Sequence, residues 1–256
     1  MNASVRFVVT TMLMASVAAT FASCAPSGQL VDVVLDQTAS TGSASVRASY
    51  DAAMATVVTT LHGGDRVVGS TIGADSIAQA STIMDVTLPR YSVLGGNGHD
   101  TVASIRQVGP ADDNARQVAL ASFQKAIQRS NEDASCIIDA LGVAARLMGS
   151  GGARSRVLVV MSDGVEQCGN IDFSSSIPAS APSIAALRAT HRLPDLSGVK
   201  VFWVGVLDSS YAPTDPAVGQ RLRDWWSAFF QASGTALPAG RFGGSLIGWS
   251  NVTGSM

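Results

Sequence analysis

At 256 residues the chain is long enough for one sizeable domain with short extras. Only 14% of its residues are charged, against roughly 25% in ordinary globular proteins, and the formal net charge is −2. Lys125 and Lys200 are its only lysines, and no basic block or stripe occurs. Counterion-driven nucleic-acid binding needs such a patch, so that class is set aside.

In chain order, Arg6 precedes the uncharged, mostly apolar run Phe7–Ala22. The run is short for a membrane span and ends in small residues, which reads as an export signal over residues 1–23. Removing that segment takes away Arg6 alone among charged residues and leaves a net charge of −3. Phe21-Ala22-Ser23-Cys24 resembles a bacterial lipobox, although Phe21 stands where an aliphatic residue is usual. The resemblance implies cleavage before Cys24, lipidation of its thiol, and a membrane anchor joined to the domain by a tether over 24–29. The competing reading is ordinary secretory cleavage near Ala22 or Ala25, giving a soluble exported protein. With Cys24 lipidated, Cys136 and Cys168 remain as an even pair in an oxidising compartment.

The domain is expected over residues 30–245, followed by a tail over 246–256. The continuous apolar run Leu30–Leu35 predicts a strand buried on both faces. Val46, Tyr50, Ala53, Val57, Val58 and Leu61 follow at helical spacing, and Gly63-Gly64 stops that helix. Arg66–Ile72 and Thr82–Leu88 read as strands able to pair as a hairpin. The Gly-rich stretch over 89–110 has no clear period and reads as a loop insertion. A helix over Asp112–Arg129 and one through Ile137, Leu141, Ala144, Ala145 and Met148 come next. Val157–Met161 and Val199–Leu207 are two further core strands. Asp215-Pro216 then opens a helix whose apolar stripe is Val218, Leu222, Trp225, Trp226, Phe229 and Phe230. That stripe fits one helix face and reads as core. Apolar strands alternating with helices imply right-handed crossovers and a doubly wound, mostly parallel α/β sheet with helices on both faces.

Such sheets bind ligands beyond the carboxyl ends of their strands, so the residues that follow each strand carry the functional argument. After the first strand comes Asp36-Gln-Thr38-Ala-Ser40, and after the strand at 157–161 comes Ser162-Asp163-Gly164. Ser135 opens the helix Ser135-Cys-Ile-Ile-Asp-Ala-Leu141 between them. Hydroxyl and carboxylate oxygens are hard ligands that suit Mg²⁺ or Mn²⁺ better than zinc or copper. A hydrophobic strand, then Asp-x-Ser/Thr-x-Ser, later a Thr/Ser, and later a strand ending in Asp-Gly resembles the metal-ion-dependent adhesion site of von Willebrand factor A domains. The resemblance spans about residues 30–235. It implies a Rossmann-like fold, with Thr38, Ser40 and Ser135 as hydroxyl ligands and Asp36 and Asp163 holding the site directly or through water. Thr38 departs from the usual Ser and Ser135 from the usual Thr, each keeping its hydroxyl. The alternative reading of these residues is that Asp36 and Ser40 merely cap the following helix and Asp163-Gly164 makes a turn.

A metal held mainly by neutral hydroxyls stays electrophilic, so the expected function is recognition of a partner's carboxylate without covalent chemistry. Cys136 directly follows Ser135, and Cys168 lies five residues past Asp163. Both belong to loops on the same edge, which makes a Cys136–Cys168 disulfide geometrically reasonable; two buried free thiols are the other reading. No zinc signature is present, since Cys-x-x-Cys is absent and His62, His99 and His191 are scattered. The run ending in Asp36 also resembles haloacid dehalogenase-type phosphatases, but Thr38 stands where their second Asp is needed as proton donor. Neither lysine follows a Gly-rich loop, and no Gly-x-Ser-x-Gly elbow occurs. A metal-independent scaffold of the cell envelope stays open beside the adhesion-like reading, with a phosphatase-like hydrolase behind both.

Overall fold

The computed structural model describes residues 28–77, 81–89, 98–129, 132–150, 152–153, 155–206 and 216–249. The signal segment, Cys24 and most of the expected tether lie outside them. The strands are β1 (Gln29–Asp36), β2 (Arg66–Ile72), β3 (Thr82–Thr87), β4 (Ser155–Met161), β5 (Gln167–Cys168), β6 (Ile171–Asp172), β7 (Val199–Val204) and β8 (Phe242–Gly243). The helices are α1 (Ala44–Thr59), α2 (Gly98–Ile127), α3 (Ile137–Ser150), α4 (Ser180–Ala189) and α5 (Pro216–Ala232). A six-stranded sheet runs in the order β3-β2-β1-β4-β7-β8, and β5 and β6 pair separately. Among the described residues, only the β2–β3 pairing within the six-stranded sheet is antiparallel.

β1 is apolar throughout because helices cover both of its faces. Val31, Val33 and Leu35 pack with Val46, Tyr50 and Val57 of α1 and Phe123 of α2. Leu30 and Val34 face the other way, into a core shared with α3, α4 and α5. Strand alternation places Asp32 and Asp36 on this second face as well. The α5 stripe is core: Trp225, Trp226, Phe229 and Phe230 are all buried. Each such ring contributes about 1.5–3 kcal/mol through area removed from water. The architecture is the doubly wound, mostly parallel α/β sheet expected from the sequence.

The structure departs from the expectation in three places. Residues 98–110, expected as part of a loop insertion, belong to α2, which starts at Gly98 and carries Pro110 inside it. Val102, Ile105 and Val108 recur every third position, a helical spacing hidden among glycines. The α2 residue Arg116 then ties this helix to α1, donating to Val58 O at 3.1 Å and Leu61 O at 2.8 Å, carbonyls at the C-terminal end of α1. Second, the expected tail over 246–256 begins packed on the domain: Trp249 is buried, edge-on to Phe202 with ring centroids 5.1 Å apart. Third, α4 and the β5–β6 hairpin lie in a segment without a strong apolar period.

β1 has β2 on one side and β4 on the other, so the winding direction reverses between β1 and β4. Their register pairs Leu35 with Met161. Asp36 and Ser162 therefore emerge side by side at the carboxyl ends, where a crevice opens in folds of this kind.

Candidate metal centre

Asp36 is the hub of the cluster and is almost wholly buried. Its Oδ1 accepts the Thr38 amide at 3.0 Å and the Thr38 hydroxyl at 2.7 Å. Ser135 Oγ lies 3.2 Å from Oδ1 and 3.1 Å from Oδ2, and Ser162 Oγ donates to Oδ2 at 2.6 Å. Burial pushes the Asp36 carboxyl up, while hydrogen bonds from Ser162, Thr38 and Ser135 pull it back. Ser135 Oγ also donates to Thr38 Oγ1 at 3.0 Å, and Thr38 Oγ1 and Ser40 Oγ lie 3.0 Å apart.

The local backbone explains how three residues after one strand reach one point. Thr38 folds back on Asp36 in an Asx-type turn. A short 3₁₀ turn over Ala39–Thr41 follows, with Thr41 Oγ1 donating to the carbonyls of Asp36 and Thr38 at 3.0 and 2.9 Å. The cap of α1 is Ser43, whose hydroxyl accepts from Val46 N–H at 3.3 Å. Asp36 and Ser40 thus do not cap that helix.

The structure brings Asp36, Thr38, Ser40 and Ser135 into one hydrogen-bonded network. Asp163 is buried next to it, one residue past Ser162, and its Oδ1 accepts the Val165 amide at 2.9 Å. Ser135 is held from behind. Its amide donates to Gln167 Oε1 at 3.0 Å, and its carbonyl accepts from Gln167 N–H at 3.0 Å. Cys136 and Cys168 form a disulfide with their Cα atoms 5.0 Å apart. Beside it, Glu166 is fully buried and accepts from the amides of Ile138 at 2.8 Å and Cys168 at 3.1 Å. Burial raises the Glu166 carboxyl to about 8 against the pull of those two amides.

Sequence reasoning missed three groups here. Ser162 stands in the Ser-Asp-Gly string with no role of its own, yet its place at the end of β4 beside Asp36 follows from strand register. Glu166 and Gln167 give no local signal, since their partners at 135–138 lie about thirty positions away in the chain.

Hydroxyl and carboxyl oxygens are the donor chemistry of a hard divalent ion, and the hydroxyls of the cluster are hydrogen-bonded to one another at separations close to the edge of such an ion's shell. An octahedral Mg²⁺ shell with metal–oxygen distances of about 2.0–2.1 Å has edges of about 2.9 Å. The two hydroxyl–hydroxyl separations at Thr38 are each 3.0 Å. Among the described residues no three His, Cys, Asp or Glu side chains are grouped to hold a metal. The cluster offers mostly neutral hydroxyls instead. Two surface hollows of about 330 and 390 Å³ lie along residues 191–195, and neither is lined by the cluster.

No family model matches the chain, and no curated protein matches it. Solved structures do. The PilB minor pilin from Streptococcus sanguinis aligns at 14% identity with a TM-score of 0.50, covering 82% of this chain and 56% of the pilin. A von Willebrand factor type A protein from Catenulispora acidiphila aligns at 13% identity and TM-score 0.43, covering 80% of this chain and 37% of that one. The conserved hypothetical protein BatB from Bacteroides thetaiotaomicron aligns at 12% identity and TM-score 0.42, covering 88% and 94%. The fold is a doubly wound, mostly parallel α/β sheet with helices on both faces, and the pilin shares it. At 14% identity the likeness to the pilin is one of fold, and the chain spans a little over half of the pilin.

Proposed function

We propose that the chain is an exported, envelope-held binding protein with a metal-ion-dependent adhesion site. Asp36, Thr38, Ser40, Ser135 and Asp163 would hold Mg²⁺ or Mn²⁺, and a partner would offer a carboxylate to it. The observation that carries this reading is the trio of hydroxyl oxygens at 3.0 Å spacing around Thr38, gathered over one buried carboxylate. A divalent ion bound there supplies an electrophilic point for an incoming carboxylate. The chain's own residues do the rest. Asp36 orients Thr38, Ser135 and Ser162 by accepting from each, and the Cys136–Cys168 disulfide fixes Ser135 against the 166–168 segment.

Export and anchoring rest on Arg6, the run Phe7–Ala22 and Cys24. Among the described residues, which do not include the Phe7–Ala22 run, no helix is long and apolar enough to cross a membrane; the attachment proposed is lipid on Cys24. Calorimetric titration with MgCl₂ and MnCl₂ tests the site, and the expected result is saturable binding that Asp36→Ala abolishes. Capture of envelope partners with and without chelator tests the role, since retention in chelator would favour a metal-independent scaffold. Fractionation of wild type and Cys24→Ser tests the anchor: equal recovery in the soluble fraction would replace it with ordinary secretion.

A further inference from the structure

Asp163 sits between two backbone carbonyls, and each accepts a hydrogen bond from a different buried tryptophan. Trp203 of β7 donates its indole N–H to Ser162 O at 2.8 Å, and Trp226 of α5 donates to Gly164 O at 2.9 Å. Both rings are fully buried and lie against each other with centroids 4.7 Å apart. Gly164 has φ +86°, and a Cβ there would lie 3.3 Å from Trp226 Nε1, 3.4 Å from Leu222 and 3.6 Å from Trp203. The indoles therefore abut the turn itself, so that a Cβ at Gly164 would press against Trp226. The turn is fixed at two more points: Ser162 N–H donates to Val204 O at 3.1 Å, and Gly164 N–H donates to Ser162 Oγ at 3.1 Å.

We infer that Trp203 and Trp226 are positioning residues of the metal centre, fixing Asp163 through the carbonyls on either side of it. The inference rests on the proposed metal site and adds to it the groups that aim one of its carboxylates. A buried indole N–H needs some acceptor, so the bonds alone would also suit a plain core role. Their placement argues further. Two tryptophans from separate elements converge on the carbonyls that flank one residue, while Trp225 on the same helix buries its N–H with no hydrogen-bond partner among the described residues. Groups that orient metal ligands typically contribute about 10–100-fold to metal affinity.

Trp225 supplies the control. In the full chain, Trp203→Phe, Trp226→Phe and Trp225→Phe each shrink a ring in the same aromatic cluster, but only the first two remove a bond to the Asp163 turn. Calorimetry with MgCl₂ should show affinity lowered about tenfold by Trp203→Phe and by Trp226→Phe, with Trp225→Phe close to wild type. Wild-type protein gives a second readout that needs no variant to fold. In ¹H–¹⁵N spectra the indole resonances of Trp203 and Trp226 should move with added Mg²⁺ and saturate with it. That of Trp249, bonded to Thr60 Oγ1, should stay in place. Equal Mg²⁺ affinity in all three variants, or indole resonances of Trp203 and Trp226 that ignore saturating Mg²⁺, overturns the inference while leaving the metal site standing. Wild type that binds neither Mg²⁺ nor Mn²⁺ overturns the proposed function itself.

Discussion

Ser162 Oγ donates to Asp36 Oδ2 over 2.6 Å, joining side chains 126 positions apart at the ends of two adjacent parallel strands. The bond closes the cluster on the β4 side, as Thr38 and Ser135 close it on the others. The acceptor is a buried carboxyl, and a hydrogen bond of this kind is worth about 1–3 kcal/mol. Ser162→Ala should lower stability by roughly that amount in urea unfolding and weaken Mg²⁺ binding in calorimetry. Unchanged midpoint and unchanged affinity together would show that Ser162 plays no part in holding Asp36.

The disulfide closes a loop of sequence separation 32, for which the chain-entropy model gives about 3–4 kcal/mol of stabilisation. Cys136→Ser with Cys168→Ser should lower the unfolding free energy by up to that amount. Peptide mapping of protein made in an oxidising compartment should recover the two cysteines linked. Since Cys136 adjoins Ser135, the double variant should also bind Mg²⁺ more weakly than wild type; equal affinity would mean that Gln167 and Glu166 suffice to hold Ser135.

What can be read without coordinates follows from how local each signal is. β1, β4 and β7 announce themselves as apolar runs, and Asp36, Thr38 and Ser40 follow β1 directly, so strand and ligand sit within one short window. Ser135 is legible because a helix with a clear apolar stripe starts two residues later. The first turns of α2 are hidden because Gly98, Gly109 and Pro110 are breakers by composition, and tertiary context overrides such local preferences. The second layer is illegible for a different reason. Glu166, Gln167, Trp203 and Trp226 act on atoms of residues about thirty or more positions distant, or on backbone carbonyls, and neither leaves a pattern in a window of sequence.

Glu166 sets part of the pH dependence of folding. Its carboxyl titrates near 4.5 when exposed and at about 8 in the folded chain. Between those values the folded state keeps a proton that the unfolded state has lost, so stability falls as pH rises through this window. The contribution is fully present below about 4.5 and is lost above about 8. Glu166→Gln should flatten that slope. At pH 4 to 5 the folded group is a neutral carboxyl whose two oxygens can both still accept, whereas the glutamine NH₂ cannot, so the variant should be less stable than wild type there, by about 1 kcal/mol. Above pH 8 the order should reverse. Urea unfolding across this range decides it; parallel curves would mean that Glu166 titrates normally in the folded chain.

Asp32 is the residue of β1 that the site does not use. It lies four positions before Asp36 on the same face, is completely buried, and neither carboxylate oxygen has a hydrogen-bond partner among the described residues. Its strand neighbours in register are Val68 and Leu158, both core residues. Burial raises the carboxyl to about 7, against a smaller downward pull from Arg66. From pH 3.8 to about 7 the folded state therefore holds a proton that the unfolded state releases, and stability declines with rising pH. Removing a buried polar group that has no partner is one of the few core changes expected to stabilise a protein. Asp32→Val puts an apolar, β-branched side chain with high strand propensity on this face. It should raise the unfolding free energy by about 2–4 kcal/mol at pH 8 and by less at pH 4. Because the substituted side chain would touch none of the ligands, Mg²⁺ affinity should stay within about twofold of wild type, additivity holding for sites that share no partner. A destabilised Asp32→Val would show that this carboxyl contributes a favourable interaction in the fold, and a loss of Mg²⁺ affinity would tie it to the cluster at the end of its strand.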